Sequence, residues 1–312
     1  MKRKKIIIDT DPGQDDAVAI LLALASKELE VLGITCVAGN VPLKLTAENA
    51  RKVLELTKHT DVPVFAGAEH PISRKLVTAE HVHGKTGLDG PILDPPKIKL
   101  QEMGAVEFII NTVLSHSKKE VTICTLGPLT NLALAFRLKP KIKNLIKEVV
   151  IMGGGFFEGG NITPAAEFNI YVDPEAAAEV LGSGIPVVML PLDVTHKALT
   201  SRSRIEAIRN IGNKVGAVTA EMLDFFERFD VEKYGSQGGP LHDPNVIAYL
   251  LKPKFYQGRK VNVEVEITSD LTRGMTVVDW WGVTKRKKNV YYVNSIKVDQ
   301  FFAFLTDRLR LL

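Results

Sequence analysis

The chain has only two cysteines, Cys36 and Cys124, each in a short apolar run and far apart in sequence. A disulfide framework is therefore not expected, and both thiols read as small buried hydrophobes. Long apolar runs are also missing. The longest, Ala17 to Ala25, falls far below the roughly 20 residues that a membrane span requires. The basic start and Ile6 to Ile8 stop at Asp9 before the apolar region of a signal peptide can form. A cytoplasmic protein with no membrane partner is expected. No Ser/Gly/Pro linker, low-complexity tract or internal repeat divides the sequence, so residues 1–312 read as a single domain. An excess of one charge is absent too, the formal net charge being +4. The basic clusters Lys2 to Lys5 and Lys285 to Lys288 flank apolar segments and read as solvated ends, which argues against a nucleic-acid partner.

What is present is the composition of an ordinary globular protein, 45% hydrophobic and 24% charged. Strand-like runs alternate with helix-like ones: "KIIID" then "DAVAILLALAS", "VLGITCVAG" then "LTAENARKVLELTK", "VTICTL" then "LTNLALAFRL", "EVVIMGG" then "DPEAAAEVLGSG". "PVVMLPLDV" continues the pattern. Such alternation predicts an α/β fold with a mostly parallel, Rossmann-like central sheet covered by helices on both faces. Beyond about Lys252, "KVNVEVEI", "GMTVVD" and "NVYYVNSI" predict a small antiparallel C-terminal addition, followed by a short helix in "VDQFFAFLTDRL". Two stretches fit neither pattern. Glu69 to Pro96 is rich in Gly, Pro and His and too long for a plain connection. Asp224 to His242 is helix-like, aromatic, and broken at Gly-Gly-Pro, as a lid would be.

In open α/β sheets, ligands lie outside the carboxyl ends of the strands, so the residues that follow each strand belong together. After the first come Asp9, Asp11, Asp15 and Asp16; after the second, Asn40; after "VTICTL", Gly127, Thr130 and Asn131. "VVIM" is followed by Gly153 to Gly155 and then Asn161, Glu167 and Asn169, and His242 and Asp243 stand before the helix-like "NVIAYLL". Strand alternation sends Asp9 and Asp11 to one face. Pro12 and Gly13 turn the chain so that Asp15 and Asp16 return at a helix start. Helix capping by Asp15 accounts for one or two of these acids. Four gathered carboxylates raise one another's pKa and favour a bound cation. The donors are all oxygen, with no Cys or His at zinc-like spacing, which favours Ca²⁺ or Mg²⁺. No Gly-rich phosphate cradle or nearby Lys accompanies them, and this tilts the choice to Ca²⁺ and an uncharged, hydroxyl-rich substrate. Each Asn, taken singly, reads equally as a turn residue. The glycine triplet does not form G-x-G-x-x-G, so a dinucleotide site is not indicated. His242 reads as functional beside Asp243, and His83 as either structural or a substrate-facing proton donor.

"DTDPGQDDAVAI" resembles the N-terminal signature of the inosine–uridine preferring nucleoside hydrolases, and "TLGPLTNLA", "IMGGG", "GNITPAAEFNIYVDPEAA" and "HDP" match that family's later motifs in order. The resemblance runs from Ile6 to the C-terminal strands. It implies a Ca²⁺-dependent enzyme that hydrolyses the N-glycosidic bond of ribonucleosides to ribose and free base. By that resemblance Asp11, Asp16, Asp243 and the Leu126 carbonyl hold Ca²⁺ together with the ribose 2′- and 3′-hydroxyls and a water. Asp15, Asn40, Asn161, Glu167 and Asn169 grip the ribose, and Met152 lies beneath it. Asp11 is the general base toward the attacking water, and His83 and His242 help the base depart. Phe226, Asp230 and Tyr234 occupy the variable base-binding lid, and members are commonly homotetramers or dimers. Attack by water predicts inversion at C1′ through an oxocarbenium-like state. Two rivals stand beside this. A haloacid-dehalogenase-like Mg²⁺ phosphatase also begins with D-x-D, but expects Thr or Val where this chain has Gly13. A non-catalytic riboside-binding protein would use the same cleft without turnover.

Overall fold

The computed structural model describes residues 3–312 apart from the side chain of Tyr234; Lys2, in the first basic cluster, and the Tyr234 side chain lie outside the described residues. Ten strands are formed among the described residues: β1 (Lys4–Thr10), β2 (Leu29–Cys36), β3 (Val64–Ala66), β4 (Val121–Thr125), β5 (Glu148–Met152), β6 (Val187–Leu190), β7 (Tyr256–Val261), β8 (Val263–Val265), β9 (Thr276–Val278) and β10 (Val290–Ile296). Eight of them make one sheet in the order β3-β2-β1-β4-β5-β6-β10-β7. All neighbours are parallel except β10 and β7.

The apolar runs explain the layering. In β1, Ile6 and Ile8 point into one core and Ile7 into the other, all fully buried, as side-chain alternation requires when both faces are covered. Helices Gln14–Leu24, Leu43–Leu56 and Pro244–Leu251 fill the first face, and Ala105–Ser115, Thr130–Leu138 and Pro174–Leu181 fill the second. Gln14–Leu24 is buried along nearly its whole length, which is why its sequence carries almost no polar stripe. Cys36 and Cys124 are free and buried in this core.

The C-terminal runs behave differently from the expectation in one respect. "NVYYVNSI" becomes β10 and joins the main sheet parallel to β6, because Val290 and Tyr292 pack on one face while Val293 packs on the other. "KVNVEVEI" divides at Asn262 between β7 and β8. The separate antiparallel addition is the pair β8 and β9, and the closing helix spans Val298–Leu309. The run "PVVMLPLDV" stops being strand at Pro191, and Leu192–Thr195 is a helical turn. Glu69 to Pro96 contains only the short helix Glu80–His83, whereas the aromatic stretch belongs to a long helix, Lys214–Tyr234.

One polar link fastens the strand ends. The Asn131 side chain accepts from Ala68 N at 2.8 Å and donates to Asp9 Oδ1 at 2.8 Å and to Cys36 O at 3.0 Å. Asn131→Ala strands these groups in the interior, and the expected loss is roughly 2–4 kcal/mol, read from the midpoint of urea unfolding. An unchanged midpoint would contradict this reading of Asn131.

Candidate active site

The chain runs outward from β1 through β2 to β3 and then returns to lay β4 against the other side of β1, so the sheet order reverses between β1 and β4. At such a switch point the loops splay apart and leave a crevice at the carboxyl ends. A cleft of about 480 Å³ lies there, lined by Asp15, Asp16, Asn40, Leu126 and Met152 from successive strand ends and by Asp243.

Asp9 and Asp11 turn out to do different things. Asp9 accepts from Thr35 Oγ1 at 2.5 Å and from Asn131, and burial pushes its carboxyl up to about 6 against those hydrogen bonds. It braces the sheet. Asp11 sits one step on, behind the cleft wall, with Oδ2 accepting from Asn40 N at 2.8 Å. Its carboxylate is wedged between Gly39 and Gly127: a Cβ at either would come within 2.0 or 2.2 Å of its oxygens. Only glycine fits at both positions.

The helix start is capped by Asp16 and not Asp15. Asp16 Oδ2 accepts from Gly13 N at 3.0 Å and from Asn40 Nδ2 at 3.2 Å, and Thr10 Oγ1 donates to its Oδ1. Asp243 stands at the N-cap of Pro244–Leu251 yet makes no side-chain capping bond. One oxygen each from Asp15, Asp16 and Asp243 lies within 4.8 Å of the others. Burial, reinforced by neighbouring carboxylates, holds Asp11 and Asp243 well above the usual range and Asp15 at about 8. Asp16 is raised by burial as well.

No described lysine or arginine lines the cleft, so this negative charge has no protein cation to meet it. Three carboxylate oxygens of the acidic loop are buried with no hydrogen-bond partner among the described residues: Asp9 Oδ2, and, beside Asp16 and Asp243, Asp11 Oδ1 and Asp15 Oδ1. Unsatisfied buried oxygens beside other acids, in an all-oxygen donor set, fit a hard divalent ion. The Leu126 carbonyl accepts from Asn169 Nδ2 at 2.6 Å and keeps its second lone pair.

The opposite wall holds Asn161, Glu167 and Asn169 in one hydrogen-bonded unit. Glu167 caps Phe168–Val172 by accepting from Asn169 N and Ile170 N at 3.0 and 3.2 Å, and it also accepts from Gly154 N at 3.0 Å. Asn161 Oδ1 accepts from Phe168 N at 2.9 Å, and Asn169 Nδ2 reaches Met152 O at 3.3 Å. Burial pushes Glu167 from 4.5 up to about 7, outweighing those backbone donors. Between these pH values the folded chain keeps a proton that the unfolded chain has lost, so this group makes stability fall as pH rises from 4.5 to 7. Glu167→Gln is expected to flatten that part of the stability profile by on the order of 3 kcal/mol, as followed by urea unfolding at pH 5 and pH 7.5. An identical slope in both proteins would contradict it.

The far end of the cleft is aromatic. Phe226 is buried between the two predicted histidines, with ring centroids 5.5 Å from His83 and 6.5 Å from His242. His83 Nδ1 lies 2.7 Å from Gln14 Oε1, and His242 Nδ1 lies 2.8 Å from Thr195 Oγ1. Burial drives both imidazoles toward the neutral form, His83 down to about 3. Asp230 also lines this end, raised to about 6 by burial.

Sequence reasoning passed over Gln14, Thr195, His81, His196, Glu158 and Phe229, all of which orient or line this end. It also missed Asp193, which accepts from Phe156, Phe157 and Glu158 N at 2.9, 2.5 and 3.0 Å and so shapes the loop beyond the glycine triplet. The signal was Pro191, which ends the strand and puts Asp193 in a first helical turn.

Residues 6–303 match the family profile described as inosine-uridine preferring nucleoside hydrolase. The chain belongs to this family. It is 49% identical over 306 residues to the pyrimidine-specific ribonucleoside hydrolase RihA of Salmonella paratyphi B, with 98% of each chain covered. An uncharacterized protein of Schizosaccharomyces pombe is 52% identical over 305 residues, again with 98% of each covered. Among solved structures, a purine-preferring ribonucleoside hydrolase from Gardnerella vaginalis superposes with a TM-score of 0.92 at 32% identity, covering 98% of both chains. The fold and the ordered motifs thus belong to a nucleoside hydrolase, an N-glycosidase. No helix among the described residues is long and apolar enough to cross a membrane.

Proposed function

We propose that this nucleoside hydrolase requires Ca²⁺, held by Asp11, Asp16, Asp243 and the Leu126 carbonyl, and cleaves ribonucleosides by water attack at C1′. The observation that carries the proposal is the pair of buried, partnerless oxygens on Asp11 and Asp15 beside Asp16 and Asp243. A divalent cation there supplies Lewis acidity, lowering the pKa of a water and attracting a vicinal diol.

The chain's own residues do the rest. Asp11 Oδ1, unpaired and buried, accepts the proton of the attacking water, while the Asn40 N–H on Oδ2 keeps the carboxylate from rotating. Asp15, Asn40, Asn161, Glu167 and Asn169 bind ribose hydroxyls, and Met152 lies under the ring. Their oxygens also favour the positive charge that develops on the sugar as the N-glycosidic bond lengthens. Phe226 packs at the base end of the cleft, with His83 and His242 at the edge of the base. Because water attacks directly, the product ribose is released with inverted C1′.

Pyrimidine ribosides are the proposed preferred substrates, on the strength of the 49% identity to enzymes named pyrimidine-specific. Incubation with uridine, cytidine and inosine in calcium buffer, followed by a reducing-sugar assay, tests both points. Free ribose from all three, fastest from the pyrimidines, is expected. Phosphate release from sugar phosphates with no ribose from nucleosides would favour the phosphatase reading, against which stands a cleft with no described Lys or Arg in its lining. Binding of ribosides without any ribose release would favour a non-catalytic protein. The family resemblance further supports a homodimer or homotetramer, which sedimentation velocity measures directly.

A further inference from the structure

We propose that Gln14 locks His83 as the Nδ1–H tautomer, so that His83 Nε2 accepts a hydrogen bond from an N–H donor on the nucleobase and does not deliver a proton to it. The proposal rests on the ribohydrolase reading of the cleft for its ligand but not for its tautomer.

The argument is donor and acceptor accounting. The Gln14 side chain is fully buried. Its Nε2 lies 3.0 Å from His83 O and 2.9 Å from Asp89 O. Backbone carbonyls only accept, so the amide nitrogen must occupy that end and the amide orientation is not reversible. Its oxygen then faces His83 Nδ1 at 2.7 Å. An amide oxygen also only accepts, so Nδ1 must carry the hydrogen. In a neutral ring Nε2 is left with a lone pair. Burial keeps the ring neutral, with its pKa lowered to about 3.

Packing holds the ring in that orientation. A Cβ on Gly13 would come within 2.3 Å of His83 Nδ1, so the imidazole sits against bare backbone on one side and near Phe226 on another. His83 lines the cleft, and its Nε2 makes no hydrogen bond to another described residue. His242 is held differently. Its Nδ1 meets the Thr195 hydroxyl, which donates or accepts equally well. The two histidines are therefore unequal: one is a fixed acceptor, the other adaptable. A fixed acceptor at the base end selects nucleobases that present an N–H, such as the uracil N3–H, and disfavours those in which that hydrogen is replaced.

Long-range ¹H–¹⁵N correlation spectra of the full-length enzyme labelled at histidine read the tautomer directly. An Nδ1–H signature for His83 is expected in the wild type, moving toward Nε2–H in Gln14→Leu. Kinetics provide the second readout: the wild type should favour uridine over 3-methyluridine by at least about tenfold in kcat/KM, and His83→Ala should collapse that ratio toward one. An Nε2–H signal in the wild type overturns the proposal. So does a His83→Ala loss that is equal for uridine and 3-methyluridine but absent with 4-nitrophenyl riboside, whose leaving group needs no acid. If Gln14→Leu fails to fold, the wild-type spectrum and the His83→Ala ratio still decide. If the wild type releases no ribose from any riboside, the functional reading fails while the spectrum continues to test the lock.

Discussion

Asp11→Asn is expected to lower kcat for uridine by about 10³-fold while changing KM by no more than a few-fold. The reason lies in how the carboxylate is held. Gly39 and Gly127 press on its two oxygens, and the Asn40 N–H fixes Oδ2, so an asparagine of the same shape has to place its own oxygen against that N–H. Its amide nitrogen then takes the place of Oδ1, the atom with no protein partner. What disappears is the unpartnered acceptor that the proposal assigns to the water proton. General-base catalysis is worth roughly 10²–10⁴, and the proposed ribose contacts on Glu167, Asn161 and Asn169 are untouched. Steady-state kinetics at saturating calcium, with circular dichroism as a control for folding, measures the effect. Wild-type turnover would exclude Asp11 as the base.

The second large effect concerns the cation and Asp243. Four acids separated by more than two hundred positions along the chain are buried together, with pKa values raised by burial and, for Asp11, Asp15 and Asp243, by neighbouring carboxylates as well. An ion that binds only this folded arrangement stabilises it by mass action. At a hundredfold excess over Kd the gain is about 2.7 kcal/mol, or roughly 4 °C in Tm for a chain of this size. Calcium added to chelator-treated wild type should therefore raise Tm by that amount. In Asp243→Ala the increase should vanish and ribose release should fall below about 1% of wild type, because uncapped Asp243 contributes its carboxylate to the cluster and not to its own helix. Differential scanning calorimetry with and without calcium checks it. An equal shift in both proteins would place the ion elsewhere.

Much of this was legible in the sequence because it is carried by periodicity. Ile6, Ile7 and Ile8 announce a strand buried on both faces, and the repeated strand and helix alternation leaves a parallel sheet as the economical solution. The acidic loop after β1 was visible as charge density, whereas Asp243, which precedes a helix and ends no strand, read from its residues alone as either a cap or a ligand and was joined to Asp11 and Asp16 only by the family resemblance. What stayed hidden is pairing that depends on three-dimensional register. Asp9 and Asp11 look equivalent by strand alternation, yet Asp9 lies opposite Thr35 and Thr125 in the sheet and is absorbed by it. β10 was expected in an antiparallel appendage; only packing reveals that Tyr292 and Val293 need cover on opposite faces. Gln14 carries no catalytic signature of its own, and its meaning appears only when His83, 69 positions away, is brought to 2.7 Å. Asp193 was obscured by reading "PVVMLPLDV" as one strand when Pro191 ends it.

The central claim is that acids from both ends of the chain surround one divalent ion at the β1/β4 crevice. Anomalous diffraction from a crystal grown with calcium tests it most directly. The account predicts a single strong peak coordinated by Asp11, Asp16, Asp243 and the Leu126 carbonyl. Density without a peak at that position, with Asp243 turned away from Asp11 and Asp16, would contradict it.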